Sequence, residues 1–179
     1  MSMSRMTVAG GGIALLALVL AACPPAASAQ RLGLGQAPSA AQVRGWDIDV
    51  RADGAGLPAG AGSVAQGRAL YQARCLACHG IDGEKGTAPR LAGGQGTLAG
   101  KAPVLTVGSY WPYAPTLYDY IRRAMPLDSP QSLSADEVYA VTAYTLHLNG
   151  IVGAGAVLDA ASLAAIRMPN RDGFRPVQE

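Results

Sequence analysis

Two thiols and an imidazole meet in one five-residue segment, Cys75-Leu76-Ala77-Cys78-His79. The cysteines lie three positions apart, and at this spacing both can add to the two vinyl groups of one haem. The histidine that follows directly can then reach the iron. The segment therefore predicts a covalent haem attached through Cys75 and Cys78, with His79 as an iron ligand.

Zinc binding and thiol redox chemistry are the other common uses of such a cysteine pair. A zinc site needs two further ligands at metal spacing, and only Cys23 and His147 remain, neither near a second such pair. A thioredoxin-like pair needs a strand–helix–strand context, which the glycine-rich stretch after His79 does not provide. Haem attachment is favoured over these uses and over a structural disulfide.

The composition fits one domain that encloses a cofactor. The chain has 179 residues, half of them apolar, yet it contains 23 glycines, one Phe and two Trp. A flat apolar group such as a porphyrin can replace core side chains that a small domain lacks. The net charge of +2, without a run of Lys or Arg, gives no indication of nucleic acid as a partner.

The amino terminus has the pattern of an export signal. One positive charge lies in residues 1–5, and residues 8–22 are apolar or small, which is too short for a membrane span of about twenty residues. A run of small residues, 27–29, ends at Ala29, and a signal peptidase can cleave the chain after it. This predicts a signal peptide over residues 1–29 and a soluble periplasmic chain that starts at Gln30 and has no membrane span.

Lipidation is the alternative form of export. Leu20-Ala21-Ala22-Cys23 resembles the lipobox of bacterial lipoproteins, with Cys23 as the lipidated first residue. Either route ends outside the cytoplasm, where haem of the c type is attached. The mass of the mature protein distinguishes them, because only the lipoprotein begins with a diacylated Cys23.

An irregular arm is expected over residues 30–62, which are rich in Gly, Ala, Pro and Gln. Within it, residues 46–50 alternate large apolar with acidic side chains. This alternation is typical of a short extended segment laid against the domain. A solvated tether is the alternative interpretation.

Three helices are predicted within a domain over residues 63–150. Ser63 is a suitable N-cap for a helix that leads into the haem segment. A second helix is expected over residues 115–124. The clearest helix runs from Ser134 to Asn149, with a capping box at its start. The first and last of these helices are expected to cross and support the haem.

The seven glycines of residues 80–100 predict a loop that covers one side of the haem. A ligating histidine nearly always donates its second ring N–H to a carbonyl or carboxylate. We expect the Pro89 carbonyl to be this acceptor for His79, with Leu91 against the ring. A proline that only stiffens a turn is the alternative.

Met125 is the best candidate for the second iron ligand. It leaves a predicted helix, precedes Pro126, and carries the thioether that usually lies opposite histidine in cytochromes c. Met168 has the same local context but lies beyond the last strong helix. His147 lies in the middle of a helical pattern, where surface or core histidines are common. A methionine that only fills the core is the remaining alternative for Met125.

A tail follows over residues 151–179, with one or two helical turns expected at residues 159–166. Phe174 is the only phenylalanine of the chain. We expect it to anchor the tail on the domain or on a partner.

Residues 63–149, with the haem segment and the Met125 loop, resemble a class I cytochrome c domain. Longer stretches resemble SoxD, the cytochrome subunit of Sox sulfane dehydrogenase. They are WDIDVRADGAGLP at 46–58, VGSYWPYAPTLYDYIRRAMP at 107–126, SLSADEVYAVTAYTLHLNGIV at 132–152 and MPNRDGF at 168–174.

The resemblance implies an all-α, small class I cytochrome c fold around one haem c. The haem residues of the family fall on Cys75, Cys78, His79 and Met125. The resemblance also implies a molybdenum-cofactor subunit similar to SoxC as electron donor, which oxidises sulfane sulfur on a carrier protein, and another cytochrome c as acceptor. Because the chain has a single CxxCH segment, it resembles the one-haem form of this family, or the cytochrome of a related sulfite dehydrogenase.

A ligand on each face of the iron leaves no site for a substrate, so the sequence predicts an electron-transfer subunit without catalysis of its own. One alternative is a freely diffusing cytochrome that serves many partners. Another is a haem enzyme or gas sensor in which Met125 is absent from the iron or readily displaced.

Overall fold

The structure, a computed structural model, describes residues 33–175 of the chain. The predicted signal peptide and the alternative lipidation at Cys23 lie outside these residues. None of the helices described is long and apolar enough to cross a membrane. The helices are α1 (Ala40–Trp46), α2 (Val64–Arg74), α3 (Leu76–His79), α4 (Ala114–Ala124), α5 (Ala135–Leu148) and α6 (Ala160–Ala164). The strands are β1 (Ala61–Ser63) and β2 (Val157–Asp159).

The chain divides between Val43 and Arg44 into two units. In the first unit, Ser39 begins α1 with a reciprocal cap, because its Oγ accepts from the Gln42 N–H at 3.3 Å and its own N–H donates to Gln42 Oε1 at 2.8 Å. The prediction of an irregular arm is therefore wrong for residues 40–46. The Ser-x-x-Gln spacing is the sequence signal for this helix start.

In the second unit, helices α2 and α5 cross in close contact, as predicted. Ser63 caps α2 with Gln66 as the reciprocal partner. At the crossing, a Cβ on Gly67 would lie 1.9 Å from the Ala140 carbonyl oxygen, so only glycine allows the two backbones to approach this closely. Tyr71 and Tyr144 pack edge to face beside it, with ring centroids 5.2 Å apart.

Helix α5 runs through the centre of the core. Ser134 and Glu137 form the predicted capping box, and Asn149 ends the helix. Nine consecutive side chains of α5, residues 138–146, are buried. A helix buried all around is typical of the middle of a domain rather than its surface.

A two-stranded antiparallel sheet lies beside α5 in the second unit. Strand β1 pairs with β2 in the register Ala61↔Asp159, Gly62↔Leu158 and Ser63↔Val157. The expectation of an all-α fold omits this sheet. Three residues per strand are too few to show an alternating pattern in sequence. Gly62 lets β1 lie directly on α5, since a Cβ there would be 2.2 Å from the Ala140 nitrogen.

Residues 44–63 pack within the same unit as the helices that follow them. Val50 is only 5% exposed and belongs to the hydrophobic core. Tyr139 on α5 donates from its hydroxyl to the Pro58 carbonyl at 2.8 Å. Trp46, in contrast, is 86% exposed. The alternating segment therefore lies against the domain at Val50 but not at Trp46.

The tail also contacts this unit. Helix α6 forms within the predicted range, with Asp159 as its cap. Phe174 packs edge to face on Tyr110, with centroids 5.1 Å apart. The Asn170 side-chain amide donates to the Tyr110 carbonyl at 2.7 Å. These contacts attach the last described residues to the domain.

Candidate haem site

The haem segment forms a single helical turn of its own. Helix α2 ends at Arg74, and the Cys75 N–H donates to the Tyr71 carbonyl at 2.8 Å. Helix α3 then carries Cys78 and His79. Both thiols are free of disulfide bonds. The two cysteines therefore remain available for covalent attachment on one short turn.

The two thiols differ in exposure. Cys75 is partly buried and packs against the core, whereas Cys78 is exposed. Burial raises the pKa of the Cys75 thiol to about 11, with the nearby Arg74 acting in the opposite direction. Because this pKa lies far above neutral pH, the Cys75 thiol stays protonated and uncharged at neutral pH.

A backbone carbonyl lies beside one ring nitrogen of His79. The distance from His79 Nδ1 to the Pro89 carbonyl oxygen is 3.2 Å, the position that the sequence analysis gives to this carbonyl. When Nδ1 carries the proton and donates, Nε2 is left with its lone pair free for a metal. The Ala88 N–H donates to the Cys78 carbonyl at 2.8 Å and holds the same loop in place.

Tyr71 fixes the turn directly after His79. Its ring is fully buried, and its hydroxyl donates to the Gly80 carbonyl at 2.8 Å. Gly80 has φ +77°, a conformation that favours glycine. A Cβ on Gly86 would lie 1.9 Å from the Cys78 carbonyl oxygen, so the loop passes directly over the end of α3. The imidazole is thus held by neighbours close in sequence.

Asn149 connects this loop to the end of α5. Its side-chain amide donates to the carbonyls of Leu91 at 3.0 Å and Thr145 at 2.9 Å. The Leu91 N–H in turn donates to the Gly83 carbonyl at 2.7 Å. Leu91 therefore has a fixed backbone and a half-buried side chain that packs on the core.

Met125 is the residue at which helix α4 ends. Its backbone is extended, and its N–H still donates to the Ile121 carbonyl at 3.0 Å. The side chain is half-buried and packs against the core, and Pro126 after it is buried. The thioether of Met125 is therefore partly accessible, and the backbone that carries it is held in place.

Met168 and His147, the alternative candidates for the second iron ligand, have different surroundings from Met125. Met168 is 1% exposed and belongs to the hydrophobic core, among residues that pack on all sides. His147 is half-buried, and its Nδ1 lies 3.1 Å from the Val152 carbonyl oxygen. Burial thus separates the two Met-Pro segments that look alike in sequence.

The donor set fits a haem c. Two free thiols, an imidazole with one nitrogen beside a carbonyl, and a half-buried thioether are the groups that a covalently bound, six-coordinate haem requires. Leu76, within the haem segment, and Leu91, in the loop that follows it, pack on the core and remain partly accessible. Within residues 33–175, no cluster of three His, Cys, Asp or Glu side chains offers a site for a metal ion alone.

Comparison with known proteins identifies the family of the chain. Residues 64–149 match the family model described as cytochrome c. The structure is similar to a chain in the crystal structure of the sulfane dehydrogenase SoxCD from Paracoccus pantotrophus, with a TM-score of 0.76 and 44% sequence identity. The match covers 82% of this chain and 72% of that chain. This protein belongs to the cytochrome c family. Within that family it is SoxD-like, as its sequence indicates.

A second relative of this cytochrome is the thiosulfate dehydrogenase of Allochromatium vinosum. The two are 36% identical over an alignment of 90 positions, and the match covers 45% of this chain. The same region covers only 29% of the thiosulfate dehydrogenase. This likeness therefore extends over one part of that protein.

Two groups that shape the site, Tyr71 and Asn149, and one that joins α4 to the segment before β1, Asp119, are not predicted from the sequence. Tyr71 is not singled out there, and Asn149 appears only as a helix end. Asp119 does not appear at all. An Asp four positions before an Arg on one helix, as in Asp119 and Arg123, is a usable signal for an ion pair.

Proposed function

We propose that this cytochrome carries electrons from a molybdenum-containing sulfur dehydrogenase subunit, similar to SoxC, to another cytochrome c. The observation that carries the proposal is the match to a chain of SoxCD over 82% of the sequence. The cytochrome c family model covers residues 64–149 alone. Likeness to the SoxCD chain therefore extends into the segments that flank the haem domain, which supports a dedicated partner that oxidises a sulfane or sulfite substrate.

One haem c would be held covalently by Cys75 and Cys78, and its iron would be ligated by His79 and Met125. When bound, the haem supplies one-electron transfer between ferric and ferrous iron, and a His/Met ligand pair raises its reduction potential. Pro89 orients the imidazole of His79 through its carbonyl. Because His79 and Met125 would both ligate the iron, we infer that bond-making chemistry belongs to the partner subunit.

Covalent attachment has a direct test in the mass of the denatured protein. We expect a mature chain that is heavier by one haem, with the group on the peptide that contains Cys75 and Cys78. Cys78→Ala should retain the haem through one thioether, and the double variant with Cys75→Ala should lose it. A mature chain with the mass of the polypeptide alone would contradict the proposal.

We further propose that the arm at Trp46 and the tail at Phe174 contact the molybdenum subunit. Trp46 is the most exposed large apolar residue of those described, and Phe174 is 54% exposed on its Tyr110 support. Buried aromatic residues contribute much of the binding energy at protein interfaces. Arg171 lies over the Tyr113 ring, 4.2 Å from its centroid, and adds a cation to the tail.

The partner assignment is tested by rapid mixing of the oxidised cytochrome with the molybdenum subunit and its sulfur substrate. We expect haem reduction that saturates with cytochrome concentration, and half-saturation at a higher concentration for Trp46→Ala and Phe174→Ala. Val157→Ala serves as control, since Val157 is also exposed. Equal half-saturation for all three variants would show that the contact lies elsewhere. If the molybdenum subunit does not reduce the haem and the cytochrome diffuses freely, a general electron carrier is favoured.

The likeness to thiosulfate dehydrogenase favours one second candidate, a haem protein that oxidises thiosulfate itself. In that case thiosulfate alone should reduce the purified cytochrome, and carbon monoxide should bind rapidly to the ferrous form. The leading proposal predicts neither result, because Met125 would occupy the sixth position on the iron.

We propose that the protein is exported to the periplasm through cleavage after Ala29, with lipidation at Cys23 as the alternative. Export is supported by the haem segment, since haem c is attached outside the cytoplasm. Mass spectrometry of the mature amino terminus tests it. A chain that begins at Gln30 supports cleavage, a diacylated Cys23 supports lipidation, and a chain that retains Met1 contradicts both.

A further inference from the structure

We propose that the arm positions Met125 by holding the last turn of helix α4. The arm contact, as we name it, joins one segment of the arm to the end of that helix. It consists of Ile48, Asp49 and Val50 with Asp119, Arg122 and Arg123. The inference rests on the proposed ligation of iron by Met125, and it assigns Asp119 and Arg123 as positioning residues for that ligand.

Asp119 is the centre of the arm contact. Its side chain is only 13% exposed, and its two oxygens have different partners. Oδ1 accepts from the Val50 backbone N–H at 2.9 Å, and Oδ2 accepts from Arg123 at 2.6 Å. A poorly solvated carboxylate with two such bonds is held more firmly than an exposed one. Asp119 therefore connects the arm backbone to the last turn of α4.

Two arginines complete the contact from the last turn of α4. Arg123 donates with its second terminal nitrogen to Asp49 Oδ1 at 2.7 Å, so it bridges an arm carboxylate and a helix carboxylate. Arg122 donates to the Ile48 carbonyl at 3.3 Å. Because the side chains of Arg123 and Asp49 are 45% and 66% exposed, their ion pair alone is weak. The buried part of the contact, at Asp119, is expected to dominate.

The arm is itself fixed where it makes these bonds. Val50 is buried in the core, and a turn over residues 51–57 brings the chain back against Asp49. Gly56 in this turn has φ +92°, and a Cβ there would lie 2.0 Å from the Asp49 carbonyl oxygen. Glycine is therefore required at this point, and the arm offers a rigid surface to α4.

The contact acts on Met125 because the methionine follows Arg123 by two residues. The last turn of a helix has carbonyls without intrahelical partners and unwinds readily unless tertiary contacts hold it. Here the Met125 N–H still bonds to Ile121, one turn back, on the same turn that carries Arg122 and Arg123. A metal ligand must be held within about 0.5 Å of its productive position by the residues that support it. If the arm contact is broken, Met125 should leave the iron more often.

The experiment compares arm-contact variants of the mature, haem-loaded protein. Asp119→Ala removes both bonds, Asp119→Asn keeps an acceptor for Val50 but loses the ion pair, and Arg123→Met keeps the aliphatic stem. The readouts are the weak far-red absorption band of methionine-ligated ferric haem, the reduction potential, and carbon monoxide binding to the ferrous form. We expect carbon monoxide association to be about tenfold faster in Asp119→Ala, with smaller increases in the other two variants.

Asp53→Asn is the matched control. It disrupts an exposed ion pair with Arg51, at 3.0 Å, that does not involve α4, and asparagine keeps the Oδ1 acceptor for the Ala55 N–H within the turn. We expect it to keep the wild-type band, potential and carbon monoxide rate. Helix content by circular dichroism monitors the fold, and Asp119→Asn with Arg123→Met provide the test if Asp119→Ala does not fold.

Two results would overturn the inference, and they are distinguishable. If Met125→Ala abolishes the far-red band while the Asp119 and Arg123 variants match Asp53→Asn, the ligand is correct and the arm contact does not position it. If Met125→Ala leaves the band and potential unchanged, the ligation itself is wrong and the inference fails with it. A lower potential and a weaker band in Asp119→Asn and Arg123→Met, with Asp53→Asn unchanged, support it.

Discussion

The two candidate axial ligands are supported in different ways. The surroundings of His79 come from residues close in sequence, since Tyr71 bonds to Gly80 nine positions away and Pro89 lies ten positions after the histidine. Met125 depends on α4, whose bonds to the arm join residues 69 to 74 positions apart. The histidine side is thus mostly local, whereas the methionine side follows a helix that is bonded to a distant segment of the chain.

This difference suggests how the two sides respond to change. A ligand held by local contacts is expected to be formed early and to vary little. A ligand held by a distant segment can respond to whatever binds that segment. If the arm contacts a partner subunit, as proposed, the reduction potential should change on binding.

The largest loss of stability is expected at the crossing of α2 and α5, because we expect this crossing to support both the histidine side and the methionine side. Gly67→Ala places a Cβ 1.9 Å from the Ala140 carbonyl oxygen, so the helices must separate. We expect a loss of about 3 kcal/mol in the free energy of unfolding, with both ligands disturbed together. Chemical denaturation of the haem-loaded protein measures it. Gly45→Ala in α1 is the control, since a Cβ there meets nothing within 4 Å. An unchanged stability for Gly67→Ala would contradict the observed crossing.

Val50→Ala disturbs the methionine side alone. Val50 is buried in the core and donates to Asp119 through its backbone, which the substitution retains. Removal of its two methyl groups should lower the free energy of unfolding by about 2 kcal/mol. The far-red band should weaken while haem attachment at Cys75 and Cys78 persists. A stability loss without any change in the band would show that the arm supports the fold but not the ligand.

Tyr71→Phe disturbs the histidine side alone. It keeps the buried ring and removes only the hydroxyl that donates to Gly80. We expect a loss of about 1 kcal/mol in the free energy of unfolding, because one partly buried carbonyl loses its partner. The methionine band should remain at wild-type strength. If the band is lost in this variant, the two sides are coupled and the comparison above is wrong.

The smallest effect concerns the start of α5, which supports both sides. Hydrogen bonds from the Ser134 N–H and hydroxyl lower the pKa of Glu137 below its usual range. A lowered pKa stabilises the fold above the unfolded value of about 4.3, and this contribution is lost as the pH falls through the lower folded value. Glu137→Gln should therefore melt below wild type at pH 7, and the difference in melting temperature should vanish in acid. A constant difference at all pH values would contradict the capping role.

Helices α2 and α5 were predictable because their signals are local. The capping boxes at Ser63 and Ser134 lie within four residues of sequence, and both are present in the structure. The haem segment is equally local, since all its chemistry lies within five positions. The Pro89 carbonyl lies 3.2 Å from His79 Nδ1, whereas the sequence alone leaves a proline that only stiffens a turn as the alternative.

The arm contact and the small sheet were not predictable in this way. Nothing in the identity of Asp119 indicates a backbone partner at Val50, 69 positions earlier. Met125 and Met168 each precede a proline, and the burial of Met168 in the core separates them in a way that their local sequence does not show. Burial of this kind depends on long-range packing, which a single sequence does not display.

The most direct test of the account is the far-red absorption of the ferric, mature protein at neutral pH, recorded for wild type, Met125→Ala and Met168→Ala. The account predicts a weak methionine–iron band in wild type that disappears in Met125→Ala and persists in Met168→Ala. Absence of the band in wild type, or its loss in Met168→Ala with retention in Met125→Ala, would contradict it.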